Sequence, residues 1–127
     1  MLSHTTLGVA DVSAARRFYD PLLDALGLIP KFADEHRAGW RHPAAERPLF
    51  IICRPYDRGP PAAGNGQMIA FLACSQSLVR ECYSVALQHG GTDEGRPALR
   101  PEYHADYYGA YFRDPDGNKL CVCCHQA

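Results

Sequence analysis

The 127 residues carry 13 Lys and Arg against 14 Asp and Glu, a formal net charge of −1 at pH 7. That length suits one domain with one sizeable core, and the balance of charge gives no reason to expect nucleic acid or a membrane surface as partner. No apolar run approaches the roughly 20 residues that span a bilayer, and Met1-Leu2-Ser3-His4 sets no basic segment ahead of an apolar one, so a cytoplasmic protein is expected.

His4 to Val9 reads as a strand, with His4, Thr6 and Gly8 on one face and Thr5, Leu7 and Val9 on the other. Asp11 offers an N-cap, with Ser13 as a second candidate, for a helix whose Ala15, Phe18, Tyr19, Leu22, Leu23 and Leu26 form one apolar stripe. Pro21 sits inside that stripe and should kink the helix or cost it a hydrogen bond; Gly27 ends it. Three strands follow, Ile29 to Phe32, Ala38 to Arg41 and Leu49 to Cys53, with Asp34-Glu35-His36-Arg37 as a turn between the first two. The third is uniformly apolar and is expected to be buried on both faces. Arg54 to Gly66 is rich in Pro and Gly and reads as a connecting stretch.

The pattern then returns. Met68 to Ala73 is a strand, Ser75 or Ser77 caps a helix along Leu78, Val79, Cys82, Val85, Ala86 and His89, and Gly90-Gly91 stops it. His4 falls on Met68, Asp11 on Ser75, Tyr19 on Tyr83 and Gly27 on Gly91, each 64 residues apart, about half the chain. The loop Arg96 to Asp106 leads to a strand from Tyr107 to Phe112. Asp114-Pro115-Asp116-Gly117-Asn118 then makes a hairpin turn into Leu120-Cys121-Val122-Cys123. The expected fold is α+β: one domain over 1–127, built from two βαβββ modules at about 1–56 and 67–127 and joined by a linker at about 57–66. A helix covers one face of each half's sheet. Pairing the halves buries the rest around a central cleft, lined by His4, Thr6, Gly8, Met68, Ala70, Leu72, Cys121 and Cys123. The six cysteines are read as free, mostly buried thiols.

These residues resemble the vicinal oxygen chelate superfamily, which takes in glyoxalase I, fosfomycin and bleomycin resistance proteins and extradiol dioxygenases. The likeness is carried by His4 to Asp11, Phe18-Tyr19, Leu26-Gly27-Leu28, Ile69-Ala70-Phe71 and Asp114 to Asn118. Gly90 to Asp93, Leu99 to His104 and Tyr107-Tyr108 resemble a bacterial glyoxalase-like subgroup. The resemblance implies a divalent metal (zinc, nickel, manganese or iron) held by a His or Gln of the first strand, a His of the fifth and a Glu of the eighth. By position these fall on His4, Met68 and Cys121. Met68 cannot replace an imidazole on such an ion, and Cys121 would favour softer ions such as zinc. The fourth strand has no acid, although Glu46 and Asp57 flank it.

The first functional expectation is therefore a protein that binds a small molecule in the inter-module cleft, with the usual metal site degraded, as the resemblance to bleomycin resistance proteins implies. The alternative is a metal-dependent lyase, like lactoylglutathione lyase, or a dioxygenase, using His4 and Cys121, with Cys123 as a further sulfur in a zinc variant. Met68, Tyr103, His104, Tyr107, Tyr108 and Cys123 are expected to line the ligand site. Arg100 is the charge partner of an anionic or aromatic ligand. His125 is read as a surface or interface residue, and the resemblance implies a homodimer.

Overall fold

Asp11 turns the chain from its first strand into its first helix. Its carboxylate accepts the backbone N–H of Ala14 at 2.9 Å and so satisfies one of the open donors of the helix start. In the computed structural model, which describes residues 1–127, β1 is His4–Gly8 and α1 is Val12–Ala25. α1 runs through Pro21 as one helix. Gly27, at φ 79°, reverses the chain, and the N–H groups of Gly27 and Leu28 return to the carbonyls of Asp24 and Leu23. Next come β2 (Ile29–Ala33), β3 (Arg37–Arg41) and β4 (Leu49–Cys53), then β5 (Ile69–Leu72), α2 (Gln76–Gln88), β6 (Thr92–Leu99), β7 (Tyr108–Arg113) and β8 (Lys119–Cys124). Ser75 rather than Ser77 caps α2, accepting from Leu78 N–H at 3.1 Å.

The strands form two sheets of the same plan, ordered β1-β4-β3-β2 and β5-β8-β7-β6. β1 runs parallel to β4 and β5 parallel to β8, while the remaining pairs are antiparallel. β4 lies between β1 and β3, which is why Leu49 to Ile52 are all buried. α1 and α2 start 64 residues apart (Val12, Gln76), but β3 and β7 start 71 apart (Arg37, Tyr108). The segment ahead of β7 is thus about seven residues longer than its counterpart in the first half. That longer segment holds Tyr103 and His104.

One expectation is corrected here. Arg96 to Leu99, read as loop, belong to β6. Gly95 and Pro97 are poor strand residues, but β6 is an edge strand. Its pairing with β7 shifts register between Asp93 and Gly95 and again between Gly95 and Ala98, and these irregularities accommodate them.

A single core joins the halves. Phe18, Tyr19, Leu22 and Leu23 of α1 are fully buried. Phe18 packs edge-on against Phe112 of β7, centroids 6.3 Å apart, while Tyr19 packs on Phe50 of β4 at 5.4 Å. Phe50 in turn meets Phe71 of β5 at 5.0 Å. The β7–β8 turn fastens this join. Buried Asp114 accepts from the N–H groups of Asp116 and Asn118, from Asn118 Nδ2 at 2.9 Å, and from Tyr19 O–H at 2.5 Å. Asn118 Nδ2 also donates to the Gly8 carbonyl at 2.9 Å, and Ala10 N–H donates to Asp116 at 3.1 Å.

Candidate functional site

Strand alternation sorts the second sheet into two faces. Tyr108, Ala110 and Phe112 of β7 and Leu120, Val122 and Cys124 of β8 join the core cluster beneath the helices. Gly109, Tyr111 and Arg113, with Lys119, Cys121 and Cys123, therefore take the opposite face. The ladder pairs them across the strands: Arg113 with Lys119, Tyr111 with Cys121, and Gly109 with Cys123. A cavity of about 720 Å³ lies along this face, within the range of small-molecule sites. Its walls are Met68 and the 64–67 stretch on one side, Tyr103, His104 and His125 on another, and Tyr107, Tyr111, Arg113 and Lys119 along the sheet.

The longer segment before β7 folds back over this sheet. A Cβ placed on Gly109 would lie 2.9 Å from the Tyr107 ring, and one on Gly95 would lie 3.1 Å from Arg100 Nη2. The two glycines thus give Tyr107 and Arg100 room to lie flat. Tyr107 covers Cys121: its hydroxyl is 3.6 Å from Cys121 Sγ and 3.0 Å from Tyr111 Oη, and Cys121 is fully buried. Burial pushes the Cys121 thiol up to about 11, so without a metal it is neutral at pH 7 and would have to give up its proton to ligate one. Burial, then hydrogen bonds to Tyr111 and Cys121, likewise raise the Tyr107 phenol.

His4 does not join this group. It stands exposed on β1 with Nδ1 2.9 Å from Ser3 Oγ. Met68, half-exposed just ahead of β5, lines the cavity from the other side. No three His, Cys, Asp or Glu side chains converge on a point where an ion would sit. The residues of one chain thus do not fit the three-ligand metal centre.

His104 and His125 do come together, with Nε2 of His104 2.8 Å from Nδ1 of His125. The Asp106 N–H lies 3.2 Å from Nδ1 of His104 and can only donate. In the neutral pair, then, His104 carries its proton on Nε2 and donates to His125 Nδ1. His125 keeps its own proton on Nε2, 3.9 Å from Cys123 Sγ. Both lone pairs are occupied, and neither ring turns one toward the cleft.

Tyr108 stands on the helix side of β7, its hydroxyl accepting from Arg80 Nη1 at 3.3 Å, and so is no cleft residue. Arg100 is not on the cavity wall either. Its Nη2 donates to the Arg96 carbonyl at 2.7 Å and its guanidinium lies 5.2 Å from the Tyr111 ring centre. Tyr103, 63% exposed, packs edge-on against Tyr107 at 5.0 Å. Besides the 64–67 stretch, the wall residues Tyr111, Arg113, Lys119 and His125 escaped the sequence reading. The signal was present. Stepping by two from Cys121 and Cys123 along β8 reaches Lys119 and His125.

A second, apolar groove of about 430 Å³ lies between the two sheets, lined by Leu2, Trp40, Phe50, Met68, Phe71 and Leu72 among others. Leu72 on edge strand β5 is 72% exposed. The chain has no helix long and apolar enough to cross a membrane.

Two like-built βαβββ halves, one core and a cleft over the second sheet define a two-module α+β protein of the glyoxalase type. The chain belongs to the Glyoxalase/Bleomycin resistance protein/Dioxygenase superfamily, whose model matches residues 1–122. It is similar to the crystal structure of a glyoxalase/bleomycin resistance protein from Albidiferax ferrireducens T118, with 38% identity, 98% of both chains covered and a TM-score of 0.85. A glyoxalase-related enzyme from Fulvimarina pelagi shares the fold at 19% identity and a TM-score of 0.75, covering 98% of this chain and 87% of that one. A lactoylglutathione lyase from Agrobacterium tumefaciens does so at 21% and 0.66, covering 98% and 92%. No curated protein matches the chain.

Proposed function

We propose that this protein binds a small molecule in the cleft over its second sheet and does so without the three-ligand metal centre its superfamily membership implies. One observation carries the reading. The position expected to supply a metal-binding carboxylate holds Cys121, and Tyr107 seals it beneath the cavity floor. His4, the ligand retained by position, is exposed on the other sheet. What remains is a concave, partly aromatic surface of ligand size. A second copy is the proposed partner at the apolar groove, where exposed Leu72 and Leu2 flank the free edges of β5 and β1.

The test is metal analysis of the native oligomer, so that a His4 carried to Cys121 by a second copy would also register. It is paired with thermal-shift screening of chelator-treated protein against a small-molecule library. Substoichiometric zinc, nickel, manganese and iron, with ligands that raise Tm after chelation, are the expected results. One equivalent of any of these metals, with ligand response lost on chelation, would overturn the reading.

A further inference from the structure

Lys119 and Arg113 face each other across β7 and β8 at one end of the cleft. Like charges directly opposite on a sheet repel, so each needs an answering group. Arg113 has two: its Nε pairs with Glu94, and its Nη1 donates to the Gly117 carbonyl at 2.8 Å. Lys119 has none. The chain's ion pairs are Arg16–Asp20, Lys31–Glu46, His36–Glu35 and Arg113–Glu94, and Lys119 is in none of them. Lys119 is half-buried, and its Nζ lies 5.6 Å from the Tyr111 ring centre. No Asp or Glu lines the cavity; the nearby sequence acids, Glu102 and Asp106, lie outside its walls. The cleft thus holds a permanent cation with no carboxylate partner in the protein.

From Lys119, the first residue of β8, to His125, one past its last, the groove runs about 20 Å at the usual strand rise. Tyr111 and Tyr107 lie between, with the Met68 side chain opposite. Ring faces and a thioether favour a flat apolar body. Resting on the small-molecule reading above, we propose that the ligand is an organic oxyanion with an aromatic or extended unsaturated body. Its anionic group meets Lys119 and its body lies along Tyr111 and Tyr107 toward the paired histidines. The charge partner is Lys119, not the Arg100 that the sequence suggests.

The test uses the intact protein and probes that differ in one property each: 2-naphthoate, its uncharged amide, and inorganic phosphate. Affinity is read from the shifts of tyrosine ring signals in NMR titrations, with Lys119→Met and, as a control on the first sheet, Lys31→Met. The carboxylate is expected to bind about fivefold more tightly than the amide, the size of one half-exposed charge pair, and more tightly than phosphate, which lacks the body. Lys119→Met should abolish the preference for carboxylate while leaving amide binding unchanged, and Lys31→Met should preserve both. Equal binding of carboxylate and amide at the Tyr107 and Tyr111 signals would overturn the anion assignment while leaving small-molecule binding intact. A carboxylate preference that survives in Lys119→Met would overturn Lys119 as its source. If none of the probes moves any cleft tyrosine, both the assignment and the underlying reading fail.

Discussion

The smallest side chain in the cleft decides the most there. Gly109 has its Cβ position taken by Tyr107 on one side at 2.9 Å and by Cys123 on the other at 3.4 Å. The constraint is space, not backbone, because Gly109 is not among the glycines with positive φ. Gly109→Ala therefore forces Tyr107 off the sheet or bends the strand, at a cost of about 1–3 kcal/mol. It also uncovers Cys121. Both effects are measurable: a lower midpoint in urea unfolding, and faster alkylation of Cys121 in the folded protein by mass spectrometry of the labelled peptide. In the unmodified protein the exposed Cys74 should label first, while Cys121 and Cys82, pushed by burial up to about 11 and about 12, should react only on unfolding. Labelling of Cys121 as fast as Cys74 in the native protein would contradict the cover assigned to Tyr107.

At the scale of elements, the β7–β8 turn does more than reverse the chain. Asp114 collects four donors, two from its own turn backbone, one from Asn118 and one from Tyr19 of α1. Removing the carboxylate leaves the Tyr19 hydroxyl and turn N–H groups buried without acceptors, so Asp114→Ala should destabilise by roughly 3 kcal/mol. Tyr19→Phe removes one donor and leaves Asp114 three, so its cost should be nearer 1 kcal/mol; calorimetric unfolding of the two variants checks the ratio. The turn itself was plain in the sequence, because Pro and Gly at fixed offsets dictate it locally. Its second task was not, since nothing in a hairpin signature says that a helix tyrosine 95 residues away completes it. β6 was missed for a related reason. Gly95 and Pro97 read as loop, and only pairing with β7 reveals them as edge-strand irregularities. The helices, by contrast, announced themselves through apolar stripes and side-chain caps. The candidate site was partly legible: Tyr103, His104, Tyr107 and Met68 line the cavity over the second sheet. Whether Cys121 was open or covered depended on a ring that lies back over a glycine, which spacing alone does not encode.

At the scale of the whole molecule, one core spans both halves, and folding buries, in it and beside it, thiols and phenols whose neutral forms it favours. Burial holds the Cys82 thiol at about 12, with the charge of Glu81 adding to it, and holds Cys121 at about 11; each is ordinarily near 9. The phenol of Tyr19 is raised by burial and then by the charge of Asp114, and those of Tyr107 and Tyr111 are raised first by burial. Every one of these shifts has the same sign. Above pH 9 the unfolded chain surrenders thiol protons that the folded chain keeps, so the native state binds more protons and stability falls as pH rises. The contribution is complete below pH 9 and is lost between 9 and about 11 for Cys121 and between 9 and about 12 for Cys82, at about 1.4 kcal/mol per pH unit for each thiol within its window. Urea midpoints measured at pH 7, 9 and 10.5 should therefore be flat across the first interval, as far as these groups govern it, and drop steeply across the second. Because Tyr19 of the first half is tied to Asp114 of the second, the loss should appear as one transition for both halves. Cys82→Ala, which removes the most strongly shifted thiol, should lower stability at pH 7 yet make its decline above pH 9 shallower. An equally steep decline in that variant would mean that Cys82 keeps its proton no more tightly in the folded chain than in the unfolded one.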